Sequence, residues 1–205
     1  MTRQPDWERA AQYALERLHE LPSNLAYHGI HHTRDDVLPA AERLARMSGI
    51  NGEMLCLLRT GTLYHDVGYL EQYFRNEPIA VRMAAETLPG FGFSPGQIQV
   101  IEGLIMATQL PQTPHTLLEE LIGDADLDSL GRDDYFVTCH NLWAELTAHG
   151  VALTLSAWYE RQINFLGQHT YFTPFAHSLR EARKQRNLAE LKKRFDKIGK
   201  TLANR

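Results

Sequence analysis

The chain has 205 residues, 43% hydrophobic and 22% charged, with a formal net charge of −4. That length suits one domain with a sizeable core, and the composition excludes bulk disorder. No stretch is apolar for long enough to cross a bilayer, and Met1-Thr2-Arg3-Gln4-Pro5-Asp6 lacks the basic-then-apolar layout of a signal peptide, so the expected location is the cytoplasm.

Helical periodicity dominates the chain. Trp7, Ala10, Ala11, Ala14, Leu15 and Leu18 predict a helix over 6–20, stopped by Pro22-Ser23-Asn24. A second helix is predicted from about His28 to Met47, kinked or broken at Pro39. A third runs from about Glu53 to Tyr69, and Pro78 opens a fourth that ends near Leu88. Ser94-Pro95-Gly96-Gln97 is a capping box opening a fifth, to about Thr108. Further helices are predicted over about 116–130, 133–148 and 154–166, and Thr173-Pro174 opens a long last one. Strand patterns are nearly absent. The expected fold is all-α, a single domain over 1–205 built as a bundle of eight or nine helices.

Cys56 and Cys139 sit in apolar helical surroundings and read as small buried hydrophobes in a reducing compartment. From Arg180 onward there are ten Lys/Arg against three Asp/Glu, a net of +7 that leaves the preceding part at −11. The plainer reading is a solvated amphipathic helix; the functional one is an anion-facing surface. An acidic body argues against nucleic acid as a partner.

The third helix carries the chemistry. At 100° per residue, Leu55, Leu58, Thr62, His65, Asp66 and Tyr69 share one face, while the flank with Leu57 and Arg59 is mixed. His65 and Asp66 therefore occupy positions where core residues belong. A buried carboxylate needs a compensating charge, either a metal ion or an Arg/Lys partner. On the second helix His28, His31, His32 and Asp35 share a face opposite Val37, Ala40, Ala41 and Leu44. His28 and His32 stand four apart and can converge, whereas His31 and Asp35 read as solvent-facing. Asp124-Ala125-Asp126-Leu127-Asp128 lies within an apolar helical run. Asp124 and Asp126 are about 200° apart on a helix, and periodicity does not choose between them. Two histidines and two aspartates from three helices suit Mn, Fe, Ni, Co or Zn, tolerate Mg, and leave positions open for water.

The order H…HD…D resembles the HD superfamily of metal-dependent phosphohydrolases. Tyr27-His28-Gly29-Ile30-His31-His32-Thr33 is similar to the opening motif of cyclic-nucleotide phosphodiesterases and their bacterial relatives. Leu63-Tyr64-His65-Asp66-Val67-Gly68-Tyr69 is similar to the central motif, and Asp124-Ala125-Asp126-Leu127 with Leu130-Gly131 to the closing motif of a small bacterial group. The resemblance spans about 25–135, which it implies is the metal-site core, with helices of 136–205 packed on it. It implies His32, His65, Asp66 and Asp126 as metal ligands and Asp124 as a second layer behind them. It gives His28 the proton-donor role. Between the central and closing motifs only His115 is a histidine, which favours one ion per site.

The expected reaction is metal-dependent hydrolysis of a phosphate ester or anhydride, of a nucleotide or another small phosphorylated molecule. Asp66 and His28 are the catalytic residues, with the ion activating water and His28 protonating the leaving oxygen. Arg161, Arg180 and Lys184 are candidate phosphate contacts, and Glu77 is a candidate for orienting a ligand. The alternative is a regulatory domain that binds a nucleotide without consuming it; oxidative chemistry at a di-iron site fits the sparse histidines less well. Tyr64, Tyr69, Tyr73, Phe74, Trp143, Trp158 and Tyr159 could stack on a base, though aromatics at helical spacing are more often core. Substrate identity and oligomeric state are not encoded in any motif of the chain.

Overall fold

In a computed structural model, which describes residues 4–203 with side chains up to Gly199, Asp6 opens the first helix. Its carboxylate accepts the Arg9 N–H at 3.2 Å, and α1 (Trp7–His19) buries Ala10, Ala14 and Leu18, four residues apart. The second helix departs from expectation. The chain bends through 26–29 and becomes helical only at Ile30. His32–Val37 is a π-helical turn, with the Leu38 N–H bonded to the Thr33 carbonyl five residues back. α2 (Leu38–Met47) then resumes with Pro39 in its first turn. Pro39 lacks an N–H and its ring crowds the carbonyl four residues earlier, so a wider turn upstream lets the helix pass the proline.

α3 (Gly52–Tyr64) is shorter than predicted. His65 and Asp66 follow it in a turn, and Val67–Leu70 forms a 3-10 turn. The projected single face is also a simplification: Leu57 is buried, and so is every residue from Thr60 to Gly68. The reason is position, because α3 packs against α1 and α2 and, further along the chain, α5 (Pro95–Ala107) and α6 (Leu117–Asp126). Between these lies α4 (Asn76–Thr87), entered through Arg75 in the left-handed region at φ 60°. The Ser94 capping box forms in both directions: Ser94 Oγ accepts the Gln97 N–H, and Gln97 Oε1 accepts the Ser94 N–H. α6 ends at Asp126, before the predicted 130, and Asp128–Gly131 is a separate 3-10 turn. Leu63, Tyr64, Val67, Met83, Ile101 and Ile105 belong to the buried core of this part.

The helices divide into two units, one up to Leu127 and one from Asp128 onward. The second holds α7 (Tyr135–Ala148), α8 (Leu155–Gln168) and α9 (Pro174–Ala203). Its 128–131 turn sits against α9 so closely that a Cβ on Gly131 would stand 2.5 Å from the Arg180 backbone oxygen. Asn187 Nδ2 donates to the Leu130 and Arg132 carbonyls, both at 2.9 Å. Among the described residues there are nine α-helices and no strand, which is the expected all-α class. None of the described helices is long and apolar enough to cross a membrane.

Candidate metal centre

Three segments of the first unit bring ionisable side chains together. His32 comes from the first position of the π turn, His65 and Asp66 from the turn that ends α3, and Asp126 from the last position of α6. His32 Nε2 lies 3.1 Å from Asp126 Oδ1 and 3.7 Å from Asp66 Oδ2. His65 Nε2 lies 3.2 Å from Asp66 Oδ2 and 3.6 Å from Asp126 Oδ1. The four atoms form a ring that alternates nitrogen and oxygen. His32, His65 and Asp66 are buried, with ligand atoms within 4.8 Å of one another; Asp126 keeps 16% of its side chain exposed. This buried group could hold a metal ion.

The donor set fits such an ion. Ligands about 2.0–2.2 Å from one centre stand roughly 3.0–3.6 Å apart. The ring edges fall in or near that range. His65 Nδ1–H donates to the Thr62 carbonyl at 2.7 Å, which leaves Nε2 as the atom facing the ring. That Nε2 and Asp66 Oδ2 are both buried without a hydrogen-bond partner, although they are 3.2 Å apart. Orphaned buried polar atoms are rare and call for a missing partner.

Without an ion, charge in the ring is balanced by protons. Burial alone would lower the His65 pKa, but Asp66 and Asp126 outweigh it and hold it well above the ordinary 6.5. Burial likewise opposes ionisation of Asp66 and Asp126, yet His65 chiefly lowers the first, and the hydrogen bond from His32, with the His65 imidazole nearby, holds the second well below the usual carboxylate range.

Local packing fixes the pair. Gly68, two residues beyond Asp66, lies against the start of α4, where an added Cβ would stand 2.0 Å from the Asn76 carbonyl oxygen. Tyr64 is buried beside the pair in sequence, its hydroxyl 3.2 Å from Thr87 Oγ1; burial pushes its pKa up to about 12. The Tyr27 ring lies 4.7 Å from the His32 ring. The Thr62 carbonyl contact depends on where α3 ends, and the Tyr27 contact on the bend before Ile30, so spacing alone finds neither. Gly68 leaves a visible signal, a glycine beside buried charge.

The other expected residues have varied placements. His28 is in the bend before the π turn, not on the helix. It still reaches the centre, with its ring 5.6 Å from His32 and stacked on Tyr69 at 4.6 Å. His31 and Asp35 are exposed, as the solvent-facing reading expects. Asp124 is fully buried on α6. Glu77 lies 3.5 Å from Gln109 Nε2, and His115 is exposed. Arg161 is exposed on α8. Arg180 forms a two-pronged pair with Asp128 at 2.7 and 2.8 Å. Lys184 is buried; it donates to the His169 carbonyl at 2.6 Å and pairs with Glu181 at 2.8 Å. The charges of Arg180 and Lys184 are thus answered inside the second unit. Cys139 is buried and Cys56 half-buried, and both are free thiols. Compared with known proteins, the chain matches no family model, no curated protein and no solved structure.

Proposed function

We propose that the chain is a metal-dependent phosphohydrolase of the HD type, acting on a phosphate ester or anhydride of a small molecule. The observation that carries this reading is the ring formed by buried His32, His65 and Asp66 with the partly exposed Asp126, in which two buried atoms, His65 Nε2 and Asp66 Oδ2, are orphaned. These four side chains hold one divalent ion: Mn, Mg, Fe, Ni, Co or Zn. A bound ion supplies Lewis acidity toward water and toward a phosphoryl oxygen.

The chain's own residues do the rest. Thr62 fixes the tautomer of His65, so its Nε2 lone pair faces the ring. Burial of His32, His65 and Asp66 keeps bulk water from competing for the centre. His28 stands beside the centre without belonging to the ring, and an imidazole there can give a proton to the leaving oxygen. Tyr69, stacked on His28, holds the orientation of that ring.

The test pairs metal analysis of the purified chain with phosphate release from a panel of phosphate esters and anhydrides. Metal should copurify or bind stoichiometrically, and Asp66→Ala should abolish both metal and rate. His28→Ala should keep the metal and lose about 10²–10⁴ in rate, the usual share of a proton donor. A chain without metal, or Asp66→Ala as active as wild type, would sink the proposal. Nucleotides that raise Tm but are never consumed would instead make it a binding domain.

A further inference from the structure

The second unit holds a cavity of about 220 Å³, lined by residues of α7, α8 and α9. Phe136, Trp143, Trp158 and Tyr159 supply its aromatic walls. Cys139 and Trp158 are buried in its floor, and His140 and Arg194 are exposed at its rim. Neighbours hold the walls in place. Trp143 Nε1 donates to the Leu153 carbonyl at 3.2 Å, and the His140 ring meets Trp143 edge-on at 5.7 Å. The Arg194 guanidinium carbon lies 3.8 Å from the centre of the Phe136 ring, within contact distance for a cation over an aromatic ring. Arg194 Nε donates to Glu190 Oε1 at 3.1 Å. That pair is exposed on both sides and leaves the two Nη groups of the guanidinium. No carboxylate lines the cavity itself.

We propose that this cavity binds a small aromatic carboxylic acid. Size sets the first limit. A dry cavity of about 150 Å³ admits benzene, so 220 Å³ admits one ring with a short polar substituent. The walls set the second, because aromatic side chains favour a planar unsaturated ring through stacked and edge-on contacts. Charge sets the third. Arg194 is positive, and no lining residue offers a carboxylate to balance a second cation. A cationic ligand is therefore disfavoured, although aromatic walls alone would suit one. The planar Nη end of a guanidinium instead matches the two oxygens of a carboxylate. All of these residues belong to the second unit, so the site is independent of the metal centre and of the hydrolytic reading.

Benzoate, benzamide and cyclohexanecarboxylate are the probes, titrated into the full chain by calorimetry. Benzamide keeps the ring and loses the charge; cyclohexanecarboxylate keeps the charge and loses the aromatic ring. Benzoate binds once per chain, about five- to tenfold tighter than either, the worth of one charge-assisted contact or one ring contact at a partly exposed site. Arg194→Gln brings benzoate and benzamide within about twofold of each other. Lys192→Gln, which removes a positive charge from an exposed position on the same helix outside the lining, leaves the wild-type ratio. Tryptophan emission locates the site. In Trp7→Phe the two remaining tryptophans, Trp143 and Trp158, both line the cavity, and benzoate changes their emission. No benzoate binding at millimolar concentration overturns the proposal, as do equal affinities for the three probes or equal losses in Arg194→Gln and Lys192→Gln. Binding that leaves the emission of Trp7→Phe unmoved places the ligand outside this cavity and overturns it too.

Discussion

Replacing Asp66 by asparagine keeps the shape of the side chain and removes the charge that a metal centre needs. An ion that binds only the folded chain, at 100 times its Kd, adds about 2.7 kcal/mol to stability. In a chain of this size that raises Tm by roughly 5–10 °C. Asp66 Oδ2 lies 3.2 Å from His65 Nε2 and 3.7 Å from His32 Nε2, so its charge faces both nitrogen donors. Asp66→Asn should lose most of the rise, while Asp35→Asn, at an exposed residue paired with Arg34, should keep it. The assay is thermal denaturation in a chelator and in rising Mn2+, Co2+, Ni2+ or Zn2+. The sign of its pH dependence is a second check. His65 has a raised pKa in the metal-free fold, so it stabilises that fold below pH 6.5 and the gain fades as pH climbs through the raised value. An ion must displace that proton, so the metal-induced rise should grow with pH. Equal rises in wild type and Asp66→Asn, or no rise with any divalent ion, would refute the reasoning.

Two other perturbations test the frame around the centre and, separately, the packing of the second unit. Gly68→Ala puts a Cβ 2.0 Å from the Asn76 carbonyl oxygen, a backbone atom that cannot swing aside. It should cost about 2–3 kcal/mol and weaken metal binding as well, read as lower Tm and a smaller metal-induced rise; wild-type values for both would show that the turn is not held there. In the second unit, burial first and then Lys184 hold the His169 pKa down to about 4, from an ordinary 6.5. The folded chain then binds that proton later than the unfolded chain does. Stability from this group is complete above pH 6.5 and is lost as pH falls toward 4. The loss is on the order of 2 kcal/mol, discounted for partial solvent screening. Urea denaturation across that range should show the slope in wild type and a flatter one in His169→Gln; parallel slopes would exclude His169 as the source.

The fold class was legible because helical periodicity and caps are local. Asp6, Ser94, Thr116 and Thr154 all accept hydrogen bonds at the helix starts they mark. Helix ends were less legible. α3 and α6 stop several residues before their apolar patterns do, because tertiary packing continues those patterns through 3-10 turns. The π turn was invisible for a related reason. Pro39 signals trouble in the helix, but whether it kinks, breaks or widens the turn depends on the packing of the residues before it. His32 belongs to that turn, so its burial could not be read from a regular projection that put it on a polar stripe. Of the basic residues on α9, Arg180 finds Asp128 some fifty positions earlier, a pairing no spacing rule anticipates.

The two charged clusters of this protein differ in a way that bears on function. Arg180 and Asp128 close on each other with two aligned hydrogen bonds at 2.7 and 2.8 Å, so the guanidinium fork and the carboxylate match in number and direction. In that pair each charge faces its opposite directly. His32, His65, Asp66 and Asp126 are instead held 3.1–3.7 Å apart around a common point, with His65 Nε2 and Asp66 Oδ2 unmatched. An apolar replacement of the same volume would stabilise a core as well or better. A chain that keeps four ionisable groups there, orients one of them through the Thr62 carbonyl and places Gly68 two residues beyond the pair gains little in stability from the arrangement that an apolar core would not supply. It gains a site that could hold a cation.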